Sequence, residues 1–132
     1  MPRITVIGAS FAALTAVQHI RRLAPATDIT LIAPRPEFLF YPSLIWIPSG
    51  LRQGEDLRMD LRAFLLRQDV RFHQASVVGL TDGGRRVLTT AGAVDNDGLV
   101  IATGGRFIQR LPGIEHALIP CASIEAAETI RD

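Results

Sequence analysis

Lysine is absent from this 132-residue chain: all 14 basic residues are arginine. That excludes a phosphate-loop lysine, a Schiff-base lysine and a catalytic lysine ammonium. Cysteine is almost as scarce, with Cys121 alone, so neither an internal disulfide nor a cysteine-built metal site can form. Excess charge is missing too. Fourteen arginines face 13 acids, a formal +1, and the arginines are scattered, with no basic stripe for a nucleic-acid backbone and no polybasic membrane patch. Nucleic acid is therefore not an expected partner. The apolar runs stop well short of the ~20 residues a spanning helix requires, and Met1 to Gly8 lacks the layout of a signal peptide, so the expected compartment is the cytoplasm. His19, His73 and His116 stand apart, with no second ligand at metal-binding spacing, and no metal site is expected. With 48% apolar and 20% charged residues, the chain is long enough to bury one core.

Its first 34 residues carry the clearest pattern. Arg3 to Ile7 is a short β-branched run that predicts a buried strand. Gly8-Ala9-Ser10 follows, and then Phe11 to Ala24 with Ala13, Val17, Ile20 and Ala24 at the spacing of one helix face. Pro25 ends that helix, and Asp28 to Ala33 predicts a second strand. Strand, helix and strand within about 30 residues make a βαβ unit with parallel strands.

From Arg35 to Gly54, Pro36, Pro42 and Pro48 forbid a long regular element, yet Phe38, Phe40, Tyr41 and Trp46 supply half of the chain's eight aromatic residues. An irregular segment so apolar has to pack against something, and a ligand is one candidate. Asp60 is placed to cap a helix over Leu61 to Gln68. Val70 to His73 predicts a third strand. Val77 to Leu80 and Arg86 to Thr90 predict a hairpin about Asp82-Gly83-Gly84, with Ala93 to Asp95 as a third member. Leu99 to Ala102 predicts a further apolar strand ending at Thr103-Gly104, and a last helix starts at Ser123. The expected class is α/β, a Rossmann-like parallel sheet with an antiparallel β-meander, incomplete at one edge. It divides as 1–75, 76–97 and 98–132 within one domain.

Gly8 to Ala13 reads G-A-S-F-A-A, to be set against the dinucleotide fingerprint G-x-G-x-x-G between a strand and a helix. In that fingerprint the first glycine allows the tight turn, the second lets a pyrophosphate approach the backbone and the third lets helix and strand pack. Only Gly8 is kept. Ser10 puts a hydroxyl where the phosphate would sit, and Ala13 is an accepted small replacement. The amide groups that open the helix near Phe11 attract an anion in any case. Where the second strand would end in an acid for the ribose hydroxyls, the chain has Ala33-Pro34-Arg35. Arg35 either accommodates the 2′-phosphate of NADP or is a solvated loop cation. Glu37 reaches a ribose only if the loop folds back. Asp95 and Asp97 suggest a capped turn rather than an acid/base pair.

Two blocks carry a family resemblance. Phe38-Leu39-Phe40-Tyr41-Pro42-Ser43-Leu44-Ile45-Trp46 resembles the F-x-F-x-P-S-x-x-W stretch of sulfide:quinone oxidoreductases and of the flavocytochrome c sulfide dehydrogenase flavoprotein. More loosely it is similar to a stretch of type II NADH:quinone dehydrogenases. Asp97 to Gly104, followed by Leu111-Pro112-Gly113-Ile114, resembles the D-Y-L-x-I-A-T-G and P-G-x pattern of two-dinucleotide-domain flavoproteins. The resemblance implies FAD as cofactor, held by the βαβ unit and the A-T-G turn. It implies Gly8, Ser10, Phe11 and Ala12 at the pyrophosphate, Thr103 and Gly104 closing over the cofactor, backbone groups of Val77 at the adenine, and Pro42 toward the isoalloxazine. Ser10, the missing ribose acid and Gly98 in place of a tyrosine are departures from the pattern.

Members of that family run to roughly three times this length, with an inserted NAD-type domain, a second FAD motif and C-terminal helices that dip into the membrane. The chain is therefore expected to be an N-terminal part of a flavin-dependent oxidoreductase. The parent would pass electrons from sulfide through FAD to quinone, peripheral on the membrane. The 132 residues alone are expected to be inactive, to retain FAD poorly and to self-associate. A type II NADH:quinone dehydrogenase-like fragment and a non-catalytic NADP- or nucleotide-binding module are the alternatives. The family's sulfide chemistry needs two cysteines beside the flavin. Cys121 is a candidate redox thiol, but free cysteine commonly serves as a small buried hydrophobe, and burial is the expectation here.

Overall fold

The computed structural model describes residues 1–132, which form two compact units: residues 1–37 with 60–104, and residues 38–59 with 105–132. The first unit is built on β1 (Arg3–Ile7), α1 (Phe11–Leu23), β2 (Asp28–Ala33), α2 (Arg62–Arg67), β5 (Val70–Gln74), β6 (Val77–Thr81), β7 (Arg86–Thr89), β8 (Gly92–Asp95) and β9 (Gly98–Ile101). Two short strands, β3 (Glu37–Leu39) and β4 (Arg58–Asp60), pair with each other where the chain leaves this unit and re-enters it. The βαβ unit, the third strand and the three-stranded meander all take the places the sequence predicts.

β5, β2, β1 and β9 make one parallel sheet in that order, while β6, β7 and β8 make an antiparallel one. Strand pleating sends alternate side chains to opposite faces. Ile7 and Ile32 turn to the face where the meander lies, packing with Val87 and, at their margin, Val77, Val94 and Leu99. Val6, Ile29 and Leu31 turn the other way. There α1 crosses β1 and β9 with Ala13 and Val17 fully buried. Both faces of the sheet are thus covered, which is why its strands are apolar runs rather than alternating ones.

Pro25 ends α1 as expected, but Ala24, predicted on its buried face, lies outside the helix and is exposed. The second helix is shorter than predicted. Leu61 is its N-cap, and Asp60 one residue earlier accepts the Arg62 amide at 2.8 Å while its carboxylate meets the Arg62 guanidinium. That double contact, side chain and backbone, lowers the Asp60 pKa to about 2. Between the helices lies an unforeseen joint. The Arg21 guanidinium donates to the carbonyls of Pro25 and Thr27 beyond its own helix and to those of Gln68 and Asp69 beyond α2. One side chain so satisfies carbonyls at two helix ends that would otherwise lack donors. The structure brings no acid to it.

The second unit has its own small core. Leu44, from a 3-10 turn over Tyr41–Trp46, and Ile47, which caps that turn, pack with Leu57 and with Ile124 and Ala127 of α3 (Ile124–Arg131). Pro42 sits at the start of that turn, where a missing amide costs nothing. Ser123 caps α3 by accepting the Ala126 amide at 3.1 Å. Gly54 is forced by this packing, because a Cβ there would stand 2.4 Å from the Ile124 side chain. No helix is long and apolar enough to cross a membrane.

Asp95 and Asp97, expected as turn caps, are instead ion-paired. Asp95 lies opposite Arg86 across β7 and β8, with 2.7 Å between Oδ1 and Nε, and this hydrogen-bonded contact lowers its pKa. Asp97 accepts both the backbone amide of Arg3 at 2.8 Å and its guanidinium at 3.0 Å, joining the start of β9 to the start of β1. Those bonds hold the Asp97 carboxyl at about 2, below the ordinary 3.8. A carboxyl depressed on folding contributes stability that is fully present above its unfolded value and is lost as the pH falls toward its folded value. Urea unfolding should therefore show stability falling between about pH 4 and about pH 2, with a shallower fall in Asp97→Asn. Parallel curves for the two proteins would show that the exposed pair contributes nothing.

Candidate functional site

Within the parallel sheet, β1 has β2 on one side and β9 on the other, so the strand order reverses at β1. In open α/β sheets that reversal opens a crevice beyond the strand ends. Here the crevice is bordered by the turn from β1 into α1 and by the turn after β9. The last carbonyl of β1, on Ile7, accepts the Ala102 amide at 2.8 Å, and the next amide, on Gly8, donates to Ile32 at 2.9 Å. The two flanking strands are thereby locked to successive residues of β1.

Gly8 has φ +115°, and a Cβ added to it would stand 2.2 Å from the Ala102 carbonyl oxygen and 3.4 Å from the Thr103 amide nitrogen. The backbones of the two turns touch at this point, and only glycine lets them. Gly104, with φ +76°, has no atom within 4 Å of an added Cβ, so the space beside it is open. Of the predicted site residues, Gly8, Ser10, Thr103 and Gly104 are therefore brought to one place, the first pair on one turn and the second on the other. Phe11 and Ala12 open α1 with exposed side chains. The side chain of Ser10, the N-cap, makes no capping hydrogen bond, and the first turn of α1 contains no acid. The Ser10 side chain thus does not play the part that an N-cap side chain commonly plays toward the first amides of a helix.

The remaining predicted residues lie elsewhere. Arg35 follows the end of β2, largely exposed, with its Nε 3.7 Å from the Glu37 carboxylate. Glu37 faces this arginine at the start of β3. Val77 begins β6 opposite Thr89 and leans on the Ile7, Ile32 and Val87 cluster. Pro42 belongs to the second unit. Cys121, expected to be buried, is exposed in the turn before α3, because the apolar residues that fill that unit's core come from α3 itself and from the 3-10 turns. The feature the sequence did not disclose is the Ala102 carbonyl. Its signal was present in the A-T-G block, whose small residue closes a strand beside the one glycine the fingerprint retains.

No family model matches the chain. Among curated proteins it is 30% identical to the sulfide-quinone reductase of Aquifex aeolicus, a match covering 96% of this chain and 30% of that protein. The solved structure of the sulfide:quinone oxidoreductase from the same organism superposes with a TM-score of 0.89 at 27% identity, over 99% of this chain and 31% of that one. This chain is a relative of the sulfide:quinone reductases. The type II NADH:quinone oxidoreductase of Staphylococcus aureus is 27% identical over 98% of the chain and 32% of its own length. An NAD-dependent persulfide reductase from A. fulgidus shares the fold, with a TM-score of 0.78 at 23% identity, over 97% of this chain and 27% of that one. The chain thus spans about 30% of the length of the curated relatives it matches.

The Gly8 contact yields a sharp expectation. Gly8→Ala meets both a positive φ and a carbonyl oxygen that belongs to backbone, so it should destabilise the chain by about 3 kcal/mol or more. Gly104→Ala meets only the positive φ and should cost about 1 kcal/mol. Thermal unfolding of the two variants beside the parent checks the order, and equal midpoints would contradict the contact.

Proposed function

We propose that this chain is the FAD-binding part of a flavin-dependent oxidoreductase of the sulfide:quinone type. The observation that carries the reading is the crossing of Gly8 and Ala102, which sets two ligand-facing turns side by side at the switch point of the sheet. The residues present fit a dinucleotide there in most respects. The β1–α1 turn opens a helix that has neither a side-chain cap bond from Ser10 nor an acid in its first turn, and Gly104 borders open space. The ribose end departs from the pattern, because Arg35 and Glu37 pair with each other where an acid alone would stand.

In this reading Gly8, Ser10, Phe11 and Ala12 hold the pyrophosphate, Thr103 and Gly104 close over the cofactor, the Val77 backbone meets the adenine and Pro42 lies toward the isoalloxazine. FAD, when bound, supplies the redox chemistry, and the protein supplies binding and orientation. The whole protein takes sulfide as donor and quinone as acceptor, and works as a peripheral protein at the membrane where quinone dissolves. Exposure of Cys121 leaves its thiol accessible, but one cysteine does not make the pair that the sulfide chemistry uses. A type II NADH:quinone reading is favoured by the Staphylococcus match, which extends over as much of the chain. Arg35 is the one feature that favours a 2′-phosphorylated nucleotide, and its pairing with Glu37 weighs against that use.

The chain should purify without flavin colour yet bind added FAD saturably in calorimetry, and should reduce no quinone with sulfide or NADH. Absence of binding at ~1 mM FAD, where even about −4 kcal/mol registers, would overturn the reading.

The same reading has a consequence for assembly. Ile101 is 61% exposed at the outer edge of the sheet, and Ile45 and Trp46 are 61% and 49% exposed in the second unit. Open edges and apolar surface of this kind are what another chain covers. Light scattering at ~100 μM, where interfaces of ordinary size are populated, should show a dimer or larger species that persists in high salt. A strictly monomeric protein would contradict this.

A further inference from the structure

We propose that Asp82, in the turn between β6 and β7, is a site of spontaneous covalent modification, where the link to Gly83 passes from the main-chain carbonyl of Asp82 to its side-chain carboxyl, while the identical dipeptide Asp97-Gly98 is protected by the fold. The inference does not rest on the FAD reading. Glycine after aspartate leaves the attacking amide nitrogen without a neighbouring Cβ. The Gly83 nitrogen adds to Cγ of Asp82 in its neutral carboxyl form: a C–N bond forms, the C–O bond breaks, and the hydroxyl leaves with the amide proton as water. A water molecule then opens the cyclic imide at the former main-chain carbonyl. Asp82 is left joined to Gly83 through Cγ, with a free α-carboxylate, an unchanged mass and no oxidant or reductant consumed.

Two places in the chain read Asp-Gly, and the structure treats them differently. Asp82, Gly83 and Gly84 follow one another with φ of +53°, +62° and +86°, and Asp82 and Gly83 are exposed. A residue with a side chain is uncommon in that left-handed region, and Asp69 alone shares it here. The Asp82 carboxylate is held weakly. Its contact is with the Thr81 hydroxyl at 3.5 Å, longer than an ordinary hydroxyl hydrogen bond. The Asp82 carbonyl accepts the Arg85 amide at 3.1 Å, a bond confined to the turn. Beside Gly83 an added Cβ would meet nothing within 4 Å, so the imide ring has room to form.

Asp97 is fastened at its carboxylate, its amide and its carbonyl. The carboxylate accepts the Arg3 amide at 2.8 Å and the Arg3 guanidinium at 3.0 Å, the amide donates to the Arg3 carbonyl at 2.8 Å, and the carbonyl accepts the Arg85 guanidinium. Rotation that brings Cγ to the Gly98 nitrogen strains these bonds together. Gly98 itself opens β9 opposite Ile4, whose side chain would stand 3.4 Å from an added Cβ. The Arg3 contacts also keep the Asp97 carboxyl ionised, with a pKa of about 2, and so deplete the neutral form from which water leaves. Reaction at Asp97 therefore waits on local opening of a sheet edge, whereas reaction at Asp82 does not.

The test is ageing of the 132-residue protein in mildly acidic buffer at physiological temperature, folded and in urea, followed by tryptic mapping. Cleavage occurs only at arginine, and the two dipeptides fall in separate fragments, 72–85 and 87–106. Electron-transfer fragmentation locates an aspartate linked through Cγ, and methyl transfer by a protein-isoaspartate methyltransferase counts the freed α-carboxylates. In the folded protein the modified form of 72–85 should accumulate about tenfold faster than that of 87–106, the ratio that follows when the second reaction needs an opening populated at about one part in ten. In urea the two should accumulate at similar rates. The inference is overturned if 72–85 stays unmodified in the folded protein, or if both fragments are modified at the same rate there. A contrast that persists undiminished in urea would belong to the residues around each dipeptide and not to the fold, and would overturn it as well.

Discussion

Everything in the first unit is arranged around a place where two backbones meet with no room for a side chain. The carbonyl of Ala102 occupies the position that a Cβ on residue 8 would need. Because β9 enters the sheet beside β1 only after some 90 residues of intervening chain, this contact is what makes a remote segment part of the same turn as Gly8. Glycine is demanded here by the protein before any ligand arrives. The first fingerprint glycine can therefore survive in a chain that has given up the other two.

Legibility from sequence followed the range of the forces involved. Buried strands, the α1 stop at Pro25 and the Ser123 cap depend on residues within a few positions of one another, and these were visible. The pairing of β9 with β1 was not, since a parallel partner leaves no local mark. It was implied only by the resemblance of the A-T-G block. Errors arose where a nearby polar residue had a distant partner. Asp97 looked like a turn cap because Arg3 lies 94 positions away in the chain. Cys121 looked like core because its own chemistry allows burial, and nothing local says that α3 and the 3-10 turns already fill that space.

The candidate site was legible by type but not by function. Positions 8, 10, 103 and 104 are marked by small residues after strands, and the structure gathers them. Which of them faces a ligand could be asked only after the backbone angles separated Gly8, held by the strand crossing, from Ser10, whose side chain makes no capping bond. Arg35 shows the opposite case. Its sequence position suggested a phosphate contact, while its geometry gives it Glu37, two residues on.

Charge is handled in two distinct ways across this molecule. Asp95 and Asp97 join strands by pairing with Arg86 and Arg3, so these joints vanish when the carboxylates take up protons. Arg21 joins the two helix ends through four carbonyl oxygens, groups that do not titrate. Carboxylates also join β2 to β5, through Asp28 and Arg71, and stand at the head of α2, through Asp60 and Arg62, so the tie between the two helix ends is set apart by its chemistry: of these joints it is the one made without an acid.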